Sequence, residues 1–99
     1  MHSMDNLKKL PKLNDLNPEA SKAFWAFNDA AMAEGAIPKR YKELMALGIA
    51  LTTQCTYCLE IHREEAKKAG ATPEEIAEAI HVAAALRAGA AVTHGSHLL

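Results

Sequence analysis

Three of the four prolines stand at the front of stretches patterned for helix, and that punctuation constrains the fold more than any other feature of the chain. Proline suits the first helical position, where its missing N–H is not needed, and disrupts a helix interior. In Asn17-Pro18-Glu19, Asn17 can cap, Pro18 takes the first position and Glu19 meets the positive end of the helix dipole. That helix should run through Phe24, Trp25 and Phe27 to about Glu34 and end at Gly35. A second starts near Pro38 and carries Leu44, Leu47 and Leu51 on one face, with a break or tight turn at Thr52-Thr53-Gln54. A third begins at the cysteines and ends at Lys67-Lys68-Ala69-Gly70, with lysines in its last turn and glycine just beyond. The fourth opens on Thr72-Pro73-Glu74-Glu75, where Thr72 caps and Glu75 completes a capping box. It continues through Ile76, Ile80, Ala83 and Ala84 towards His94, with Gly95 as its stop. No stretch reads as a strand. The expected fold is therefore all-α, a small helical bundle over residues 17–99 with short connections, preceded by an extension over residues 1–16.

Ninety-nine residues make one domain, which buries roughly 60–70% of its unfolded surface. Aromatic residues are few, namely Phe24, Trp25, Phe27, Tyr41 and Tyr57, and a core drawn largely from alanine is thin. Trp25, with Phe24 and Phe27, reads as a core anchor. The run from Ala83 to Ala91 leaves little side chain on any face, so the fourth helix can approach neighbours closely and is expected to be buried, in part between subunits. The formal charge of −1 is spread over interspersed acids and bases, without the basic stripe that phosphate backbones require, so nucleic acid is not an expected partner. Unbroken apolar runs fall short of the roughly 20 residues a bilayer span needs, and residues 1–14 lack a signal-peptide pattern. No membrane association and a cytoplasmic location are expected. Thiols there are kept reduced, and a close cysteine pair is more often catalytic or metal-binding than structural.

Both cysteines fall in Gln54-Cys55-Thr56-Tyr57-Cys58-Leu59-Glu60-Ile61-His62. A disulfide across so short a loop would restrict the unfolded chain by only about 2 kcal/mol, against about 4.7 kcal/mol for a hundred-residue loop, so a structural staple gains little. Zinc would find three ligands here and need a fourth from Glu43, His81, His94 or another subunit; no second Cys-x-x-Cys or His-x-x-x-His supplies it. A redox role uses the whole stretch. If Cys55 opens a helix, then Cys58 and His62 follow on the same face, and the two Cβ atoms lie about 5–6 Å apart, within small adjustment of disulfide range. Only a thiolate attacks, and lowering a thiol from about 8.5 to about 7 takes roughly 2 kcal/mol. A helix N-terminus contributes about 0.3–1 kcal/mol, which leaves a role for His62 as proton acceptor or counter-ion.

Glu43 followed by Cys55-x-x-Cys58 and His62 resembles the signature of the alkylhydroperoxidase AhpD-like proteins, within the carboxymuconolactone decarboxylase family. The resemblance spans about residues 20–95. It implies an all-helical fold, homotrimers or homohexamers, and thiol-dependent reduction of hydroperoxides with no bound cofactor or metal. It also implies a disulfide between the two cysteines, recharged by a dithiol reductant such as a lipoyl-bearing or thioredoxin-like protein. By position, Cys58 would be the attacking thiol, Cys55 the resolving thiol, His62 the proton acceptor and Glu43 the acid that orients or relays to it. Where some members carry histidine between the cysteines, this chain has Tyr57. The lactone decarboxylases of the wider family lack the paired cysteines, so their activity is not implied.

Spacing gives an independent reason for Glu43. If the second and third helices fold back at Gln54, Glu43 lies eleven residues before the turn and His62 eight after, within about one helical turn in height. Other residues have plainer readings: Tyr57 packs beside the thiols or closes over them, Glu60 is a surface acid, and His81 is a satisfied core or interface histidine. His94 and His97 face solvent near the end of the chain. A zinc-binding domain and a non-catalytic thiol sensor remain the competing readings of the sequence.

Overall fold

The computed structural model describes residues 2–99. Among them every regular element is helical: a 3₁₀ segment Met4–Lys9, α1 (Leu10–Leu16), α2 (Pro18–Met32), α3 (Lys39–Thr53), α4 (Thr56–Lys68), α5 (Pro73–Gly95) and a 3₁₀ turn Ser96–Leu98. Pro18 and Pro73 take first-turn positions as their chemistry dictates, while Pro38 is the residue before α3 rather than part of it. The capping box at α5 is complete: the Glu75 amide donates to Thr72 Oγ1 at 3.1 Å and the Thr72 amide to Glu75 Oε1 at 2.9 Å. Gly70 has φ +89°, the left-handed conformation that closes α4 and that only glycine adopts without steric cost.

The central element is α3, which packs against both α4 and α5. Leu47 and Ala50 of α3, Ala66 of α4 and Ala83 of α5 are its buried apolar residues. The α3–α4 connection is two residues long. Gln54 turns into the left-handed region (φ 57°), and the Ala50 carbonyl accepts from the amides of both Gln54 and Cys55, the latter at 3.1 Å, as the chain reverses. The end of α2 is closed from α3 instead. Lys39 Nζ donates to the Met32 carbonyl at 2.8 Å and Lys42 Nζ to the Ala31 carbonyl at 2.9 Å, two cations at the negative pole of α2.

Three expectations are corrected. Residues 4–16, within the extension over residues 1–16 in which the sequence reading placed no helix, are helical. Met4, Leu7 and Leu10 recur every third residue, the spacing that eclipses side chains along a 3₁₀ helix, and all three are half-buried. The aromatic group is not a core anchor: Phe24 is 56% exposed and Phe27 71%. It belongs to the α1–α2 hairpin, where Trp25 Nε1 donates to Asn14 Oδ1 and the Phe24 and Trp25 rings meet edge to face, and α2 packs only thinly on α3. The third correction concerns α5, expected to be buried and instead exposed along most of its length in the single chain. With its following turn (Pro73–Leu98) it reaches a mean hydropathy of 1.3, a length and composition sufficient to cross a membrane, although its unbroken apolar runs are short. Alanine supplies much of that hydropathy, and Arg87 on this helix donates to the Leu51 carbonyl of α3 at 3.4 Å.

The single chain is extended for its size. Its radius of gyration is 16.4 Å, against about 13 Å for a compact domain of this length. The fourth predicted helix is correspondingly open: Val82, Leu86 and Val92 of α5 are exposed.

Candidate active site

The α3–α4 hairpin brings Glu43 and His62 into contact across nineteen residues of sequence, with Glu43 Oε2 2.6 Å from His62 Nδ1. Glu43 is 1% exposed and is the buried charged side chain among the described residues. Burying a carboxylate costs several kcal/mol unless it is paired. Both of its oxygens are paired here: Oε1 meets Lys39 Nζ at 2.9 Å, one helical turn earlier on α3. A carboxylate only accepts, so the His62 nitrogen facing it donates; in the neutral ring Nε2 then keeps the lone pair of a base.

Cys55 is the N-cap residue of α4, and its sulfur accepts from the Cys58 amide at 3.3 Å. Cys55 and Cys58 are joined as a disulfide, with Cα atoms 5.3 Å apart. The sulfurs therefore sit at the positive end of a helix, where negative charge on sulfur is favoured. Cys58 and His62 both line a cleft of about 440 Å³, together with the apolar side chains of Met32, Ile37, Met45 and Ile49. Cys55 lies outside that lining, at the start of the helix. The α3–α4 hairpin thus carries all four residues singled out from the sequence, the cysteines at its turn and the Glu43–His62 contact farther along it, with Cys58 and His62 lining one cleft.

The remaining candidates sit elsewhere. His81 is exposed and bonds the Ala77 carbonyl of its own helix at 3.0 Å, not a core neighbour. His94 stacks on His97 with ring centres 6.0 Å apart. Neither reaches the cysteines, and no group of three or more His, Cys, Asp or Glu side chains among the described residues is arranged to hold a metal ion. Glu60 is exposed, as a surface acid should be. Tyr57 is held by the N-terminal segment: its hydroxyl accepts from Asn6 Nδ2 at 2.9 Å and its ring meets His2.

Fold and site together define an all-helical protein with a Cys-x-x-Cys pair at a helix start and a glutamate–histidine pair beside it. Residues 18–99 match the carboxymuconolactone decarboxylase family, and the chain belongs to that family; its fold is that of the AhpD-like proteins. It is 48% identical over 77 residues to "Uncharacterized protein 4 in cox locus" of Paracoccus denitrificans, covering 78% of this chain and 69% of that one. A protein of Cupriavidus necator is 30% identical over 87 residues, covering 88% of this chain and 77% of its own. Among solved structures, a protein from Methanobacterium thermoautotrophicum superposes with a TM-score of 0.81 at 35% identity, over 89% of this chain and 96% of its own. An apo carboxymuconolactone decarboxylase family protein from Legionella pneumophila gives a TM-score of 0.80 at 30% identity, over 93% and 82%.

Lys39 is the site residue that sequence reasoning missed. Its signal was present in the i, i+4 spacing to Glu43, a spacing too common on exposed helix faces to single out. Its effect is measurable. Lys39→Met leaves one oxygen of a buried carboxylate without its donor, and the expected loss is about 1–3 kcal/mol, read as a lower urea midpoint. Lys39→Arg should recover most of it; a Lys39→Met midpoint equal to the parent's would contradict the pairing.

Proposed function

We propose that this chain is a thiol-dependent peroxidase and disulfide oxidoreductase of the AhpD-like kind. The observation that carries the reading is the contact of buried Glu43 with His62 Nδ1, which holds the ring of a residue that lines the same cleft as Cys58. A buried carboxylate adds little net stability to a fold, and here its evident use is to hold that ring.

In the reduced protein His62 Nε2 accepts the Cys58 proton. The Cys58 thiolate attacks the terminal oxygen of a hydroperoxide and the O–O bond breaks; the leaving alkoxide takes the proton from His62 and departs as an alcohol. Cys58 is left as a sulfenic acid. The Cys55 sulfur, held at the N-cap with its neighbour one turn away, attacks the Cys58 sulfur and displaces hydroxide, which leaves as water after protonation. The product is the Cys55–Cys58 disulfide. An external dithiol returns two electrons by thiol–disulfide exchange, and a second turnover begins. Met32, Ile37, Met45 and Ile49 around the cleft favour an organic hydroperoxide over a small polar one. The reaction belongs in a reducing compartment, and we place the protein in the cytoplasm.

The same reading includes self-association. A second, apolar groove of about 490 Å³ between α3 and α5, lined by residues that include Leu44, Gly48, Val82 and Leu86, is left open in the single chain. Together with the extended shape it fits a trimer or hexamer in which α5 is covered by neighbouring copies.

Sedimentation equilibrium should return three or six times the 10.7 kDa chain mass, and Leu86→Glu should shift it towards one; a parent that sediments as one chain would refute the assembly. For the chemistry, Cys58→Ser should abolish peroxide consumption. Cys55→Ser should allow one oxidation and stop at a sulfenic acid that dimedone traps. Peroxide consumption by both variants at the parent's rate, with a dithiol present, would overturn the assigned roles. A parent that reacts once and never turns over would be a sensor instead of an enzyme.

A further inference from the structure

The family match begins at residue 18, yet the segment before it makes specific contacts with the redox turn. Thr56 and Tyr57, the two residues between the cysteines, are both engaged by it. His2 Nδ1 and Thr56 Oγ1 are 2.8 Å apart, the His2 and Tyr57 rings meet edge to face with centres 4.5 Å apart, and Asn6 Nδ2 donates to the Tyr57 hydroxyl at 2.9 Å. These groups come together across more than fifty residues of sequence. The segment is itself ordered for the purpose: Ser3 caps its 3₁₀ turn by accepting from the Asp5 amide, and half-buried Met4, Leu7 and Leu10 form its inner stripe.

We infer that residues 2–9 form a strap that competes with a protein-borne dithiol for the outer face of the Cys55–Cys58 turn, and so limits recharging of the disulfide by large reductants. The inference rests on the dithiol step of the function proposed above. In that step a thiolate of the reductant attacks Cys55 Sγ, the Cys55–Cys58 bond breaks and Cys58 leaves as a thiolate. The reductant's second thiol then attacks the mixed disulfide and releases Cys55. Two electrons pass from the dithiol to the pair; one of the dithiol's two protons is lost at each thiolate attack, and the two cysteines take up two protons. Cys55 is the sulfur outside the Cys58–His62 cleft, so the reductant approaches from the helix start. A small dithiol needs only the sulfur. A protein must also lay its own surface over the adjoining Thr56 and Tyr57, which the strap already occupies.

The test is the rate at which the oxidised full-length protein is reduced, followed by the appearance of free thiols, with dithiothreitol and with reduced thioredoxin as the two dithiols. In a His2→Ala, Asn6→Ala double variant the thioredoxin rate should rise by about fivefold or more, the loss of two hydrogen bonds and a ring contact, while the dithiothreitol rate stays at the parent's. Tyr57→Phe, which removes one hydrogen bond and keeps the ring, should move the thioredoxin rate in the same direction by less. Equal thioredoxin rates in parent and variants would overturn the inference. A fall in the thioredoxin rate alone would also overturn it, by making the strap part of the docking surface, as would a rise shared equally by both dithiols, which reports a change in the disulfide itself. Peroxide turnover does not enter the readout, so the strap is judged even if the peroxidase reading fails.

Discussion

The α3–α4 hairpin is organised around one buried carboxylate with two cationic or proton-donating neighbours. Glu43 sits where α3 is covered by α4, and its two oxygens are divided between Lys39 on its own helix and His62 on the next. That division ties three elements together, because Lys39 also holds the last carbonyl of α2. Displacing the carboxylate would release the imidazole from its fixed orientation and loosen the end of α2 at the same time. A small apolar core cannot replace these contacts, since among the described residues its buried side chains are one leucine and three alanines.

The weakness of that core is coupled to the chemistry. Alanine lets α3, α4 and α5 approach closely, which brings Glu43 and His62 within 2.6 Å, but it leaves little apolar area to stabilise the chain alone. The apolar side chains that the single chain does possess, on α2 and along α5, lie at its surface. Packing those faces against other copies would supply the burial that the interior lacks. Activity and assembly would then share α3, whose Met45 and Ile49 border both the thiol cleft and the groove beside α5.

Much of this was legible in the sequence wherever a local rule decided the outcome. The capping box at Thr72, proline at the start of α2, the reversal at Gln54 and the glycine after α4 each follow from backbone chemistry within a few residues. Glu43 and His62 could be paired by counting from the turn, because a two-residue connection leaves antiparallel helices one register. What escaped depended on contacts distant in sequence or on what surrounds a helix. Phe24, Trp25 and Phe27 look like core residues by type, but α2 has little of this chain to pack against. Lys39 resembles any lysine one turn from a glutamate. Residues 4–16 do carry starts, Ser3 as a cap and Pro11 in the first turn of α1, but their docking against Tyr57 could not be inferred from either segment alone.

The central claim is that the Glu43–His62 pair lowers the proton affinity of Cys58, and the most direct measurement is the pH dependence of iodoacetamide alkylation of Cys58 in the reduced protein, made in a Cys55→Ser background so that one thiol is observed. The account predicts a midpoint below the value of about 8.5 for a free cysteine, moved up towards it by His62→Ala and by Glu43→Gln. A midpoint unchanged by both substitutions would contradict it.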